Sequence, residues 1–350
     1  METVEKSYAI RKVFIVGDLH FSEFSSIIRK KGQRLKNCVD TLNWVEETAR
    51  EYDCDTIVYL GDFFDSPSLN SEELTALQEV KWSSLQHFVL VGNHDMGNAL
   101  LECSSTHVLN CLPHFTVIDK PTMAGGNFTY VDFLFLPYIN EDKDRVLSKY
   151  ITNRIHSRLI VFSHNDIKGI QMGQFISKKG FNIDDIESNC SLYINGHLHN
   201  GMDITDKIIN LGNITGQNFS EDAFKYEHHA MILDTETGEG YAVPNPYAFN
   251  FYKIEIDSKK DFDSLSYIKK NAVLSIKCKK SLLEEMHTHL RDELVAEKRV
   301  IVIPDDIASE EEVESMSKLL SVDHIKQFKD YIIDQYQDNE YIIKELQEIM

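Results

Sequence analysis

Five short apolar segments of the chain each end directly before a group of polar side chains. Each segment is rich in β-branched and aromatic residues, which is typical of a strand buried at the centre of a sheet. In open α/β sheets, the carboxyl ends of such strands carry the ligand-binding residues. We therefore predict that Asp, Asn and His side chains meet at these strand ends. The polar groups are Gly17-Asp18-Leu19-His20, Gly61-Asp62-Phe63-Phe64-Asp65, Gly92-Asn93-His94-Asp95, Ser163-His164 and Gly196-His197-Leu198-His199.

The first two predicted strands enclose a segment with helical periodicity, between Arg34 and Glu51. Its apolar residues recur at spacings of three and four and form one stripe that a helix would bury. A strand, a helix and a second strand make a βαβ unit, so the two strands are predicted to be parallel. A second helix is predicted to begin at Ser71, with this serine as its N-cap. A third is predicted around Arg145–Arg154.

The pattern of strands and helices predicts an α/β chain in three parts. Residues 1–257 are predicted to form a two-sheet sandwich flanked by helices, with further strands at 207–211, 229–233, 240–243 and 251–256. The composition turns polar around Asp257–Asp263, where we place a domain boundary. Residues 264–306 are predicted to form a small α+β capping domain, whose helix Ser281–Ala296 separates two strands. Residues 309–350 are predicted to form a helical C-terminal tail.

The composition limits the classes of protein that this chain can be. No apolar run approaches the ~20 residues that a membrane helix needs, and six scattered cysteines fit reduced thiols better than a disulfide framework. Together with an N-terminus that lacks a signal-like apolar core, these features favour a cytoplasmic protein. The net charge of −20 means that any DNA binding would use a local patch or a partner.

One dense basic run provides a candidate patch for DNA. It contains Arg29, Lys30, Lys31 and Arg34 and lies shortly after His20. The run fits a loop that contacts phosphates, and it fits the solvated start of a helix equally well.

The residue types at the five strand ends suit a pair of divalent cations. A carboxylate with two oxygens can touch both cations, and Asp62 is the candidate for this bridge. Asp18 and His20 can converge on one ion, and Asn93 and His164 are neutral ligands suited to the second. His197 and His199 can present one imidazole to each ion. Mixed imidazole and carboxylate ligation favours manganese, iron or zinc over magnesium or calcium.

In their order and spacing, the five motifs resemble those of the calcineurin-like metallophosphoesterases. The resemblance implies that Asp18, His20, Asp62 and His199 hold one metal, and that Asp62, Asn93, His164 and His197 hold the other. It further implies that His94 contacts the phosphate and protonates the leaving group. Asp65 matches the carboxylate that orients this histidine in many members.

Within that superfamily, the chain resembles the SbcD-type DNA-repair nucleases, in their bacterial and phage-like branch. The resemblance implies a manganese-dependent exonuclease or endonuclease that acts in DNA repair or recombination. It implies an SMC-like ATPase partner bound through the C-terminal helices and a homodimer formed through residues 71–82 and 99–108. If the chain is phage-encoded, its compartment is the host cytoplasm.

The sequence departs from related enzymes at several positions and leaves two alternatives open. Met96 stands where relatives often have Arg, and Ser66-Pro67 stands where the protein phosphatases of the superfamily have Arg-Gly. The second departure argues against a phosphoprotein substrate. The alternatives are a phosphodiesterase for cyclic nucleotides or other small molecules and a non-enzymatic scaffold with a vestigial site.

Overall fold

The computed structural model describes residues 10–98, 101, 103–125, 131–140, 144–172 and 175–305. The predicted tail, 309–350, lies outside the described residues. None of the helices in these ranges has the length and apolar character needed to cross a bilayer.

Four α-helices lie within the described ranges. They are α1 (Gln33–Glu51), α2 (Ser71–Leu77), α3 (Ile183–Asn189) and α4 (Leu283–His289). Helix α1 occupies the predicted segment and buries the predicted stripe. Segments of 3-10 helix lie at Ser105–Cys111, Leu147–Lys149, Lys259–Tyr267, Lys280–Leu282 and Asp292–Leu294.

The first sheet has six strands. It contains the strands that were predicted before the motifs at Gly17, Gly61 and Gly92. They are β1 (Lys12–Val16), β2 (Thr56–Tyr59), β3 (Gln86–Leu90), β4 (Phe115–Ile118), β15 (His229–Asp234) and β16 (Gly240–Pro244). The strand order is β16-β15-β1-β2-β3-β4. Strands β1 to β4 are parallel, as the βαβ pattern predicts, and β15 and β16 add antiparallel strands at one side.

The second six-stranded sheet contains the other two predicted strands. Its members are β5 (Thr122–Gly125), β6 (Val131–Leu136), β8 (Arg158–Ser163), β12 (Leu192–Asn195), β13 (Met202–Thr205) and β14 (Ile208–Asn210), in the order β13-β14-β12-β8-β6-β5. Short strand pairs lie beside it at β7 (Asp144–Arg145) with β11 (Gly180–Phe181) and at β9 (Gln171–Met172) with β10 (Phe175–Ile176).

Apolar packing on both faces of the sheets explains why the central strands are continuous apolar runs. The space between the sheets is filled by side chains such as Ile15, Val58 and Phe162. The outer face of the first sheet packs against α1 and α2, and the outer face of the second packs against α3. The predicted two-sheet sandwich flanked by helices is therefore confirmed.

A third sheet of three parallel strands follows the sandwich. Its order is β17 (Asn250–Ile256), β18 (Ala272–Lys279) and β19 (Val295–Ile303). Strand β17 was expected in the sandwich, but it pairs along its whole length with β18. One face of the sheet packs on the 3-10 helix Lys259–Tyr267 and on α4. The division of the chain into domains at 257 stays a prediction.

Three local predictions were wrong because tertiary contacts override local pattern. Residues 145–154 do not form an α-helix: Arg145 lies in a short strand, and only Leu147–Lys149 form a 3-10 turn. The buried Arg145 guanidinium donates a hydrogen bond to Asn165. Helix α4 is much shorter than Ser281–Ala296, and the Ser281 backbone N–H donates to Asp305. Asn70, not Ser71, is the N-cap of α2 and forms a reciprocal capping box with Glu73.

Candidate metal centre

Glycines bring the strand ends close enough for their side chains to meet. A Cβ atom on Gly92 would lie 2.1 Å from Asp62 Oδ1, and one on Gly196 would lie 2.6 Å from Asp18 Oδ1. A Cβ on Gly61, whose φ is +119°, would lie 2.4 Å from His164 Nδ1. These three glycines are thus required because the backbone at each passes against the side chain of a potential metal ligand.

Three residues of the centre adopt a backbone conformation that costs free energy. Asp62, His20 and His197 have φ values of 45°, 49° and 74°. L-residues rarely adopt this left-handed region, and such strain concentrates at functional sites. The surrounding hydrogen bonds hold the backbone there, since the N–H groups of Leu19 and His20 both donate to the Asp62 carbonyl, at 3.2 and 2.9 Å.

The first cluster of potential ligands contains Asp18, His20 and His199, whose ligand atoms all lie within 4.8 Å of one another. The Nε2 atoms of His20 and His199 are 3.2 Å apart. Asp18 Oδ2 is buried and has no hydrogen-bond partner in the described part of the chain. An orphaned carboxylate oxygen beside two converging imidazoles fits a divalent cation.

The second cluster contains Asp62, His164 and His197. His164 Nε2 lies 3.1 Å from Asp62 Oδ2 and 3.1 Å from Asn93 Oδ1, so the predicted amide ligand is also at this point. Buried His197 Nδ1 has no hydrogen-bond partner among the described residues. The donor set of one carboxylate, one amide and two imidazoles fits a second divalent cation.

One oxygen of Asp62 faces both clusters. Asp62 Oδ2 lies 3.1 Å from His164 Nε2 in the second cluster and 3.9 Å from His20 Nε2 near the first. Asp62 Oδ1 accepts a hydrogen bond from the His94 backbone N–H at 2.8 Å. Burial opposes ionisation of Asp62, but His164, His20 and His94 outweigh it and lower the pKa of this carboxyl. The position is the one that a bridging carboxylate requires.

Each of the four histidines that line the clusters has an acceptor for its outward-facing nitrogen. His20 Nδ1 contacts Asp65 Oδ1 at 2.9 Å, and His199 Nδ1 contacts Glu221 Oε1 at 3.0 Å. His197 Nε2 contacts Asp166 Oδ1 at 3.0 Å, and His164 Nδ1 contacts the Leu60 carbonyl at 3.0 Å. Such contacts fix the ring orientation and leave the inner nitrogen free to bind a metal.

The sequence reasoning missed three of these four acceptors, Asp166, Glu221 and the Leu60 carbonyl, and assigned the fourth, Asp65, differently. Asp166 comes two residues after His164, but no spacing rule connects it with His197. Glu221 lies in a loop with no recognisable motif. Asp65 was expected to orient His94, but its carboxylate makes its shorter contact with His20, and it lies 3.6 Å from His94 Nδ1. The Asp65 backbone carbonyl is closer to His94, at 3.2 Å.

Asp95 is a buried carboxylate that connects two loops of the centre. Its carboxylate accepts hydrogen bonds from the backbone N–H groups of Phe63, Phe64 and Gly92, and it is fully buried. It therefore ties the loop that carries Asp62 to the loop that carries Asn93 and His94. Burial and the nearby Asp62 carboxylate raise the pKa of Asp95 to about 7.

His94 is the most exposed histidine of the centre. Its side chain is 44% exposed, and its ring packs edge-on against His20 with centroids 4.7 Å apart. Because Nδ1 faces Asp65, Nε2 is the nitrogen that can meet a substrate. This placement suits a proton donor that approaches the metal centre from the solvent side.

The basic run divides into two parts in the structure. Arg29, Lys30 and Lys31 are exposed, and Lys31 pairs with Glu72 at 3.2 Å. Arg34 is only 3% exposed, and both terminal nitrogens of its guanidinium donate hydrogen bonds inside the protein. The expectation that Arg34 contacts DNA was therefore wrong, because its side chain is buried against the backbone of Leu19, His20 and Gly216 and cannot reach a phosphate.

The two-sheet sandwich and the two adjoining clusters define an α/β protein with a candidate two-metal centre. Residues 11–201 match the family described as Calcineurin-like phosphoesterase, and the chain belongs to this family. The family is dimetal-dependent, in agreement with the two clusters.

Two viral proteins are similar to part of the chain. One, named "Putative phosphoesterase 078R", from Invertebrate iridescent virus 3, is 26% identical over 212 residues, which are 57% of this chain and 56% of that protein. The chain thus spans about half the length of this relative. "Putative phosphoesterase 244L" from Invertebrate iridescent virus 6 is 28% identical over 207 residues, 56% of this chain and 70% of that protein.

Among solved structures, a dimetal phosphatase from Danio rerio is similar with a TM-score of 0.40 and 12% identity. The similarity covers 68% of this chain and 100% of that protein.

Proposed function

We propose that the protein is a two-metal phosphodiesterase whose substrate is DNA. The observation that carries the catalytic part of the proposal is Asp62 Oδ2, which faces both ligand clusters while His94 stands exposed beside them. Two divalent ions, with manganese favoured and iron or zinc also suited, supply an activated nucleophile and neutralise charge at phosphorus. Asp18, His20 and His199 would hold one, and Asn93, His164 and His197 the other, with Asp62 shared.

The residues of the chain provide the remaining chemistry. His94 Nε2 would donate the proton that the departing oxygen needs, because its Nδ1 is held by Asp65. Asp65 would act on both rings, through its carboxylate on His20 and through its carbonyl on His94. The His94 side chain is 44% exposed, so a substrate can approach it from the solvent.

The surroundings of the centre support a polymeric substrate. The exposed Arg29, Lys30 and Lys31 follow His20 closely, and the residues just before them, Ile27 and Ile28, pack against the third sheet. The Arg29 backbone N–H also contacts Glu297 of β19, at 3.4 Å. A basic segment anchored between the metal centre and the third sheet is suitably placed to contact a DNA backbone that enters the site.

The acidic balance of the chain leads to the second part of the proposal. With a net charge of −20, the chain would gain most of its DNA affinity from a partner, for which an SMC-like ATPase bound through residues 309–350 is our candidate. A homodimer through residues 71–82 and 99–108 remains part of the proposal. Leu77, Val80 and Leu101 are buried in the chain's own fold, so Leu74 would carry much of that contact.

A parallel assay tests the catalytic proposal. Purified protein with manganese is offered single-stranded DNA, duplex ends, cyclic nucleotides and a generic aryl phosphodiester. We expect hydrolysis of DNA and of the generic phosphodiester. His94→Gln should lower turnover by about 10²–10⁴-fold while both metals stay bound. His287→Gln, at an exposed histidine of α4, is the matched control and should leave turnover unchanged.

The assay also separates the alternatives. Hydrolysis of cyclic nucleotides without DNA cleavage would replace the nuclease by a small-molecule phosphodiesterase. A protein that binds two metals but hydrolyses none of these substrates would favour the scaffold.

The partner proposal is tested by deletion of the C-terminal tail. Truncation before His324 should preserve the melting temperature and the manganese-dependent hydrolysis of small phosphodiesters. It should abolish co-purification with an ATPase encoded nearby and ATP-stimulated cutting of duplex DNA. An insoluble or much less stable truncated protein would indicate that the tail belongs to the protein's own core. Light scattering at micromolar concentration gives the oligomeric state, and a monomer would contradict the dimer.

A further inference from the structure

Arg34 is a buried cation with an unusual set of partners. It lies in the first turn of α1, with 3% of its surface exposed. Within the described residues its guanidinium forms no ion pair with a carboxylate. Burial of a charged group costs free energy unless hydrogen bonds compensate. The acceptors around Arg34 therefore indicate why the residue is there.

Those acceptors belong mainly to two loops. Nη2 donates to the carbonyls of Leu19 and His20, at 3.2 and 3.3 Å, and to Thr215 Oγ1 at 2.9 Å. Nη1 donates to the Gly216 carbonyl at 3.2 Å and to Asn37 Oδ1 at 3.3 Å. A planar guanidinium can satisfy several carbonyls at once, which a lysine ammonium at the same place cannot match in geometry.

The two loops carry and support the first ligand cluster. The first loop contains Asp18 and His20. The second loop contains Asn213, Ile214, Thr215 and Gly216. The Ile214 N–H donates to the Asp18 carbonyl at 3.0 Å, and the Asn213 N–H donates to the His199 carbonyl at 2.9 Å. Arg34 thus ties together the backbone on both sides of the cluster.

The backbone of His20 needs this support. Its φ of 49° lies in the left-handed region, which costs an L-residue free energy. The carbonyl of His20 accepts a hydrogen bond from Arg34 Nη2. A fixed carbonyl keeps the imidazole of His20 directed at His199.

The second cluster is held by other groups. His164 is oriented by the Leu60 carbonyl and His197 by Asp166. Asp166 in turn lies 3.5 Å from Arg145 Nη1. Arg34 donates to none of these residues, so its hydrogen bonds reach one side of the metal centre only.

We propose that Arg34 is a positioning residue that sets the metal affinity of the first cluster, formed by Asp18, His20 and His199, and leaves that of the second unchanged. The inference rests on the metal-binding role proposed for the two clusters. Loss of such supporting contacts lowers metal affinity by about 10- to 100-fold in known metal sites.

The test isolates each cluster in turn. The His197→Ala substitution removes a ligand of the second cluster, so manganese binding to this variant reports on the first cluster. The His199→Ala substitution removes a ligand of the first cluster, so manganese binding then reports on the second. Arg34→Met and Arg34→Lys are made in both backgrounds, and bound manganese is measured by equilibrium dialysis and mass spectrometry. Arg50→Met is the matched control, because Arg50 is exposed on the same helix and donates to a carbonyl of that helix.

In the His197→Ala background we expect Arg34→Met to weaken manganese binding by about 10- to 100-fold. Arg34→Lys should restore part of the loss, and Arg50→Met should cause none. In the His199→Ala background all three variants should bind as the parent does. Melting temperatures measured in EDTA establish that the variants are folded.

Equal losses in the two backgrounds would overturn the inference, and so would folded Arg34 variants with unchanged affinity. If neither Arg34 variant folds, a general role in the core explains the contacts and the inference is also overturned. Failure of the parent backgrounds to bind any manganese has a different meaning. It would contradict the metal-binding role of the clusters themselves.

Discussion

The Nε2 atoms of His20 and His199 lie 3.2 Å apart, although 179 residues separate them in the sequence. The Nδ1 atoms of both rings face carboxylates, of Asp65 and Glu221. In the tautomer that donates to these carboxylates, each Nε2 carries a lone pair, so the two nitrogens cannot hydrogen-bond each other. A cation that accepts both lone pairs resolves this arrangement, and the buried Asp18 carboxylate beside them supplies compensating charge.

Substitution of the shared carboxylate should affect metal content and activity together. In Asp62→Asn, an amide with one oxygen and no charge bridges two cations poorly, so we expect loss of at least one metal and of phosphodiesterase turnover. Mass spectrometry of the purified protein gives the metal content. Asp40→Asn, at a surface carboxylate paired with Lys36, is the control and should change neither quantity. Two retained metals with normal turnover in Asp62→Asn would contradict the bridging assignment.

Glu221 offers a test of the outward-facing acceptors. The Glu221→Gln variant can still accept one hydrogen bond, but it loses the charge that polarises His199, so we expect manganese affinity to fall by about 10- to 100-fold. Competition with a fluorescent chelator measures this affinity. Glu227→Gln removes an exposed carboxylate that pairs with Lys269 and serves as the control. Unchanged affinity in Glu221→Gln would mean that His199 needs no orienting partner.

The metal affinity should rise with pH. Burial lowers the pKa of His164, but the carboxylates of Asp62 and Asp18 outweigh it and raise this pKa from 6.5 to about 9 in the metal-free protein. Below pH 9 a metal must displace a proton from His164, so affinity should increase by about 10-fold per pH unit between pH 7 and 8.5. Anaerobic manganese titrations at these pH values measure the slope, and a flat profile would contradict the expectation.

His164 also determines whether the stability of the metal-free protein rises or falls with pH. Because the folded pKa of His164 is above the unfolded value, its protonation stabilises the folded state fully below pH 6.5. This stabilisation is lost as pH rises toward 9. The melting temperature in EDTA should therefore fall between pH 7 and 9. Asp95, with a pKa of about 7, ionises at the lower end of this window and lowers the stability in the same direction, so the decrease between pH 8 and 9 reports on His164. A melting temperature that rises over this range would show that another group dominates.

The exposed basic residues should matter for DNA and not for small substrates. Substitution of Arg29, Lys30 and Lys31 with Ser should weaken DNA binding. It should also make the slope of log binding constant against log salt concentration less steep, by up to about 0.9 for each lost contact with duplex DNA. The control replaces three exposed lysines of the third-sheet region, Lys259, Lys260 and Lys270. Hydrolysis of an aryl phosphodiester should be unaffected in both variants. A parallel loss of both activities would indicate that the basic run is structural.

The position of the site could be predicted from the sequence because the pattern that marks each strand end lies within a few consecutive residues. An apolar run followed by glycine and a carboxylate or histidine specifies a buried strand with a polar end. Parallel strands bring such ends to one edge. The structure accordingly brings Asp18, His20, Asp62, Asn93, His164, His197 and His199 into two adjoining clusters. The helix α1 was predictable for the same reason, since its stripe repeats along a single segment.

Only the tertiary structure decided which residues orient those side chains. Glu221 and Asp166 contact the imidazoles of His199 and His197 because loops from other parts of the chain fold over them. In the sequence Arg34 belongs to a run of basic residues, but the direction of its side chain depends on which face of α1 is buried. Contacts between distant segments have no periodicity along the chain, so the sequence determined the ligands and the fold determined their supports.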